Sequence, residues 1–386
     1  MLVTATGFAG PKYIFYFIGD GMGPSHVLGT ELYLGELQGV IGRPQKLCFT
    51  QFPESAFVTT YSATNGVTDS AASGTALATG HKSYNGAIGV DSDTIPVYSV
   101  AVDLAEKGMA IGIATSVPIN HATPAAFYAH VPSRDSRYEI GKQLISAGFD
   151  FYAGSDFDRP TNRKAPEEGT LYEQSEKAGY TIVRGYKEYQ KKARKAEKII
   201  LFQSEEASKR DRGSIPYAID REKGDLSLTE ITRAGINFLS KDLSKGFFLM
   251  VEGGKIDYAC HANDAATTFA EVEDFDNAIR VAYEFYEQHP DETLIVVTAD
   301  HETGGIVLGT GKYDQNLQAL KYQRMSVSKL SSKLNELRKK TNNKVTWEMA
   351  QQLLGEHFGL GNQLGIDFIR AQIHIRAGIA VEGEIP

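Results

Sequence analysis

Only two cysteines, Cys48 and Cys260, occur in 386 residues, too few for a disulfide scaffold. Cys260 stands next to a candidate metal ligand, yet a small buried residue is its simpler reading. Basic residues are also in the minority: 40 Lys and Arg face 48 Asp and Glu, a formal charge of −8. That balance argues against nucleic acid as the main partner, because phosphate backbones select basic surfaces. An acidic protein that handles an anion needs local cations, from metal ions or arginine. No run of about 18 apolar residues is present, so no membrane span is expected. Residues 1 to 11 lack a basic region followed by a long apolar core, so no signal peptide is expected. A cytosolic protein and a mature exported one both read this way. What is plentiful is apolar content, 42%, enough to bury a large core.

The chain alternates apolar runs with helical periods. Tyr13–Ile18 reads as a buried strand that ends in the tight turn Gly19-Asp20-Gly21, and Pro24 opens a helix to about Leu37. Val97 to Lys107 reads as a helix closed by Gly108, with Ala110–Ala114 as the next strand. Phe247–Val251 and Thr293–Thr298 are further strands, each followed by an acidic residue and glycines. Between them Ala265, Phe269, Val272, Phe275, Ile279 and Ala282 recur at helical spacing, predicting one long amphipathic helix. Strands alternating with helices imply an α/β fold around a mainly parallel sheet covered on both faces. Residues 1–386 are expected to form a single domain. Two segments read as decorations on it, at about 150–245 and 311–378. The first mixes short strands (181–183 and 198–202) with charged helices, one opened by a capping box from Ser227 to Glu230. The run Lys191, Lys192, Arg194, Lys195, Lys198 alternates with alanine and acidic residues and reads as a solvated face.

The most informative stretch is Val67-Thr-Asp-Ser-Ala-Ala-Ser-Gly-Thr75. An acidic residue directly before Ser70 and only small residues after it suit a nucleophile at a helix start, where free N–H groups favour anions. An ordinary Asp69 cap on an alanine-rich helix explains the same string. Asp20, Glu252 and the pair Asp300-His301 each follow a strand, and sites in open α/β sheets form outside those strand ends. Converging carboxylates repel unless cations are present, so metal ions are the economical explanation. Asp257 and His261 stand four apart, placing both on one helix face, and nitrogen with carboxylate oxygen is a donor set for zinc. Thr123, in His121-Ala-Thr-Pro, offers a hydroxyl to a harder cation such as Mg²⁺. Asp69 could orient a cation near Ser70, and Arg134 could clamp two phosphate oxygens. The competing reading of Arg134 is a surface ion pair with Asp135 or Glu139.

Together these residues resemble the alkaline phosphatase family. The Ser70 stretch, Tyr13–Gly23, Thr79-Gly80-His81-Lys82 with Gly86, Ile88, Gly89, Val90 and Asp91, Asn120 to Arg134, Val251–Asp257 and Thr298–Gly305 are similar to its motifs, in order, across roughly residues 12 to 305. The resemblance implies a three-layer α/β sandwich that hydrolyses phosphate monoesters to an alcohol and inorganic phosphate. It implies that Ser70 becomes phosphoserine, with one zinc held by Asp20, Asp300 and His301 and a second by Asp257 and His261. Asp20, Thr123 and Glu252 would hold Mg²⁺ in this scheme, Arg134 would bind the equatorial phosphate oxygens, and a homodimer, periplasmic or secreted, is implied.

Departures from the family pattern carry expectations of their own. His121 stands where some members carry aspartate, which implies a weaker Mg²⁺ site, and Tyr258 stands where some bacterial members have a lysine near the phosphate. The second zinc normally takes a third ligand from a His-Thr-Gly loop that this sequence does not contain. The late histidines His357 and His374 lie in helix-like patterns and read as packing or surface residues. An impaired second zinc is therefore expected, with a metal- and phosphate-binding protein of weak turnover as the alternative. The sulfatase reading lacks its proline and arginine after the nucleophile; phosphodiester cleavage survives as promiscuity.

Overall fold

The computed structural model describes residues 10–210, 214–309 and 316–359. Seven parallel strands form one sheet in the order β4-β5-β3-β2-β6-β1-β7. They are β1 (Tyr13–Gly19), β2 (Ala110–Thr115), β3 (Phe151–Gly154), β4 (Tyr180–Arg184), β5 (Lys198–Phe202), β6 (Phe247–Glu252) and β7 (Thr293–Ala299). Parallel strands need covered crossovers, and the continuous apolar runs of β1 and β6 are what burial on both faces requires.

Period-two alternation sorts those runs between two cores. Phe247, Leu249 and Val251 of β6 join Phe15 and Phe17 of β1 in a cluster closed by Phe275 and Ile279 of the Ala265–Tyr286 helix. Phe248 and Met250 point the other way, to Ile111, Ile113, Phe127 and Tyr152. Each fully buried phenylalanine contributes about 1.5–3 kcal/mol relative to exposure. Helices on both faces complete three layers, so the α/β sandwich is borne out; the sheet is wholly parallel among the described strands.

One expectation needs correcting. Residues 150–245 are not an addition outside the sheet: they supply β3, β4 and β5, which make one whole side of it. Ile199, Ile200, Leu201 and Phe202 are fully buried, an environment the flanking charged helices conceal from sequence reading. The capping box is present, with Ser227 Oγ accepting from Glu230 N at 3.1 Å to start the Leu228–Leu239 helix. The helix expected from Val97 begins instead at Val100, because Ser99 is its N-cap; Gly108, at φ 86°, follows its end. Residues 316–359 of the later segment are helical as read, with Val327–Lys340 and Trp347–Phe358, and pack through Leu317, Leu320 and Met325 onto Phe269; its residues 311–315 and 360–378 lie outside the described residues. Among the described strands β7 stands at the edge of the sheet, paired along all seven of its residues with β1. Its Leu294 and Val296 are exposed.

Candidate metal centre and nucleophile

The strand ends deliver the acidic residues. Asp20 leaves β1 into a turn that needs Gly21 at φ 68°, and the Gly21 N–H donates to Asp300 Oδ1 at 3.0 Å. Asp300 itself leaves β7, and its Oδ1 also accepts from His301 N at 2.9 Å. Glu252 is the last residue of β6, held by a short hydrogen bond from Thr115 Oγ1 at the end of β2. Residues far apart in sequence thus meet at one edge of the sheet because all seven strands run the same way.

Ser70 is the first residue of the helix Ser70–Thr79. Asp69 is indeed its N-cap, Oδ1 accepting from Ala72 N at 3.0 Å. Its other oxygen accepts from Gly86 N at 3.0 Å and from Arg134 Nη1 at 2.9 Å. Cap and arginine anchor are therefore the same carboxylate. Arg134 pairs with Asp69 and with neither Asp135 nor Glu139, which settles the local alternative. The small residues after Ser70 have a packing reason: a Cβ on Gly74 would lie 3.2 Å from Thr123 Cα of the neighbouring helix Ala122–Ala125. Ser70 Oγ lies 3.2 Å from His301 Nε2 and 3.5 Å from Asp20 Oδ1.

The electrostatics of this cluster ask for cations. Burial, then Asp300, Asp257 and Glu252, hold the Asp20 carboxyl well above its ordinary range, with Arg134 opposing. Burial pushes Glu252 up to about 7 despite the Thr115 hydrogen bond. Asp300 is raised by burial, against the influence of His301. Asp20 Oδ2, Glu252 Oε1, His121 Nδ1 and Thr123 Oγ1 are buried and find no hydrogen-bond partner of good geometry among the described residues. Donor atoms of Asp20, Asp300 and His301 lie within 4.8 Å of one another, as do those of Asp20, His121 and Glu252. Carboxylate and imidazole groups left unsatisfied in this way fit divalent metal ions.

His121 is kept neutral: burial, then Arg137 and Arg134, push its pKa well below the usual value. Its Nε2 accepts from Arg134 Nη2 at 3.3 Å. Tyr258 packs edge-on against the His121 ring, centroids 5.9 Å apart, and burial raises its phenol to about 12. Asp257 and His261 share one face of the helix Gly254–His261, with His261 Nε2 3.5 Å from Asp257 Oδ1. Neither belongs to a group of three candidate ligands among the described residues. Cys260 is buried, its thiol 3.7 Å from Thr268 Oγ1, as a packing residue would be. His357 lies in the Trp347–Phe358 helix, and His374 lies outside the described residues.

Sequence reasoning missed three hydroxyl groups at this site. Thr303 Oγ1 donates to Asp257 Oδ1 at 2.6 Å, Ser73 Oγ reaches Asp300 Oδ2 at 3.4 Å, and Thr115 holds Glu252. Thr303 and Ser73 sit inside motifs already singled out; Thr115, at a strand end, carries no local signal.

The family model for alkaline phosphatase matches residues 11–353. The chain belongs to the alkaline phosphatase family. Alkaline phosphatase 4 of Bacillus subtilis (strain 168) is 38% identical over 257 residues, 63% of this chain and 51% of that protein. Alkaline phosphatase 3 of the same organism is 35% identical over 309 residues, 77% of this chain and 62% of its own length. Among solved alkaline phosphatases, that of the Antarctic bacterium TAB5 superposes with a TM-score of 0.69 at 32% identity, covering 79% of this chain and 84% of that one. A variant of the TAB5 enzyme has been solved with Mg bound in its M3 site. The chain spans between half and two thirds of the length of these curated relatives, 51% and 62%.

Proposed function

We propose that this chain hydrolyses phosphate monoesters through a phosphoserine on Ser70. The observation that carries the reading is Ser70 Oγ at a helix start, 3.2 Å from His301 Nε2, beside the buried carboxylates of Asp20 and Glu252, each with one oxygen that finds no hydrogen-bond partner among the described residues. In the first step Ser70 Oγ forms a bond to phosphorus as the bond to the alcohol oxygen breaks; in the second, water displaces Ser70 and inorganic phosphate leaves. The helix N-terminus favours the phosphate charge, and Arg134, held by Asp69, binds its equatorial oxygens. Tyr258 packs on His121, whose Nε2 accepts from Arg134, and stands on the substrate side of the site in this reading.

Asp20, Asp300 and His301 would hold one zinc and Asp257 with His261 a second, while Asp20, Glu252 and Thr123 would hold Mg²⁺, with His121 beside it. Bound there, the metals would neutralise the carboxylates, lower the pKa of the serine hydroxyl and screen the phosphate. Thr303 orients Asp257 toward its position. The TAB5 variant with bound Mg supports a magnesium site in this family. Since neither Asp257 nor His261 falls in a group of three ligands among the described residues, slow release of the phosphoserine is the second reading.

A homodimer and an exported location, periplasmic or secreted, follow from the resemblance. Turnover of 4-nitrophenyl phosphate at alkaline pH, abolished by EDTA and by Ser70→Ala, tests the activity. Turnover that survives Ser70→Ala refutes the phosphoserine route. Metal-loaded protein that traps labelled phosphate on Ser70 but turns over slowly selects the second reading.

A further inference from the structure

A groove of about 860 Å³ begins one residue past Arg134. Asp135, Ser136, Tyr138 and Glu139 form one wall; the other is the loop from Arg159 to Lys164. We propose that this groove is an anion subsite for the alcohol half of the substrate. It would select phosphate monoesters whose leaving group carries a second anionic group, a carboxylate or a further phosphate. The proposal rests on the phosphomonoesterase reading above.

The charge on the two walls is unequal. Arg159, Arg163 and Lys164 are exposed, and none forms an ion pair among the described residues. On the facing wall Glu139 pairs with Lys142 at 2.8 Å, a cation that Glu168 shares at 3.6 Å, and Asp135 is the one lining carboxylate without an ion pair among the described residues. Three lining cations against one unpaired lining carboxylate leave the groove net positive, at the segment that follows Arg134, in a chain whose formal charge is −8. Charge on exposed lysine and arginine acts over about 8 Å at physiological salt, so such a groove recognises charge more than shape.

The cationic loop is also tied to the phosphate side of the site. Arg159 holds φ 52°, a left-handed conformation that non-glycine residues seldom adopt. Its Nη1 donates to the carbonyl oxygen of Asp135 at 3.2 Å. The preceding residue is fixed from both sides: Asp158 N donates to Asn120 Oδ1 at 2.8 Å, and its carboxylate meets Arg137 Nε at 3.3 Å. Arg137 in turn donates to the carbonyl oxygen of Asn120 at 2.9 Å, next to His121. The loop carrying the three cations is thus hydrogen-bonded to the segment that presents His121 and Arg134. A cavity of this size accommodates a small phosphorylated metabolite.

The test compares kcat/KM of the metal-loaded protein on four probes: 4-nitrophenyl phosphate, glycerol 2-phosphate, 3-phosphoglycerate and fructose 1,6-bisphosphate. The triple variant Arg159→Gln, Arg163→Gln, Lys164→Gln is expected to lower the ratio of anionic to neutral alcohols about five- to tenfold, the sum of three exposed charge pairs. Raised NaCl is expected to lower the same ratio in the unaltered protein. A fall confined to 3-phosphoglycerate assigns the subsite to carboxylates, and a fall with fructose 1,6-bisphosphate assigns it to phosphate. A ratio unmoved by both the substitutions and salt overturns the subsite while leaving the phosphatase reading intact. If the unaltered protein hydrolyses none of the four, that reading fails and the subsite falls with it.

Discussion

Replacing Asp69 by alanine breaks two functions that share one carboxylate. The helix loses its N-cap, the bond from Ala72 N at 3.0 Å, at a cost of about 1 kcal/mol. The pair with Arg134 is one-quarter exposed on each side, 24% and 25%, so screening limits its own contribution to about 1 kcal/mol. Chemical denaturation is therefore expected to report a loss of about 2 kcal/mol, with the fold retained. The kinetic effect is expected to be larger, because an arginine displaced by about 1 Å from a phosphate can cost about 10²-fold in rate. The assay is a double-mutant cycle in kcat/KM for 4-nitrophenyl phosphate across Asp69→Ala, Arg134→Ala and the double variant. If Asp69 works by aiming Arg134, the double variant matches Arg134→Ala. Losses that multiply would refute this, and would give Asp69 a role of its own. Asp69→Asn is an internal check. Its amide oxygen can serve Arg134 only by turning its NH₂ toward Ala72 N, so recovered activity should come with a lost cap.

Three further outcomes test other parts of the molecule. Burial, with Asp274 beside it, raises Glu271 to about 7, so the native state binds a proton that the unfolded chain releases near 4.5. Stability from this group is complete below pH 4.5 and is lost as pH rises through about 7, by roughly 3 kcal/mol. Glu271→Gln should flatten that slope in denaturation curves between pH 5 and 8, and an unchanged slope refutes the assignment. Gly21→Ala puts a Cβ 2.9 Å from both Asp257 Oδ1 and Thr303 Oγ1 at φ 68°; it should cost about 1–3 kcal/mol and at least tenfold in activity. Wild-type turnover by that variant would show the turn to be more pliable than its geometry implies. Thr303→Val removes the 2.6 Å bond to Asp257 and should weaken zinc binding there by about 10- to 100-fold in chelator competition. Unchanged zinc affinity would mean that Thr303 does not orient this ligand.

Where a residue's environment is local, the sequence could be read almost to the residue. Pro24 and Leu37 bound the first helix as expected, because proline at N1 fixes the start. Phe247 opens β6 as expected because its apolar run is sharply bounded. Reading failed where the deciding partner was distant. The choice of Arg134 between Asp135 and Asp69 depends on a contact across 65 residues. The place of β4 and β5 in the sheet depends on pairing through β3, while their flanks carry the charge of a surface segment. Ser70 and His301 are 231 residues apart; the rule that sites form beyond strand ends, together with motif resemblance, brings them together beforehand, whereas periodicity does not. Thr115 could not have been found at all, since a threonine closing a strand is common and its carboxylate partner lies 137 residues on.

The position of β7 at the edge of the described strands has a thermodynamic consequence. Asp300 and His301 hang from the end of a strand whose ladder among the described strands runs to β1 alone. Edge strands open locally at lower free energy than central ones, and each opening of β7 would carry both side chains away from Asp20. Occupancy of the Asp20 cluster and fraying of β7 are therefore linked quantities. Metal should slow amide hydrogen exchange along Thr293–Ala299 more than along β6, and a substitution that loosens this strand far from Ser70 should read out as weaker metal affinity.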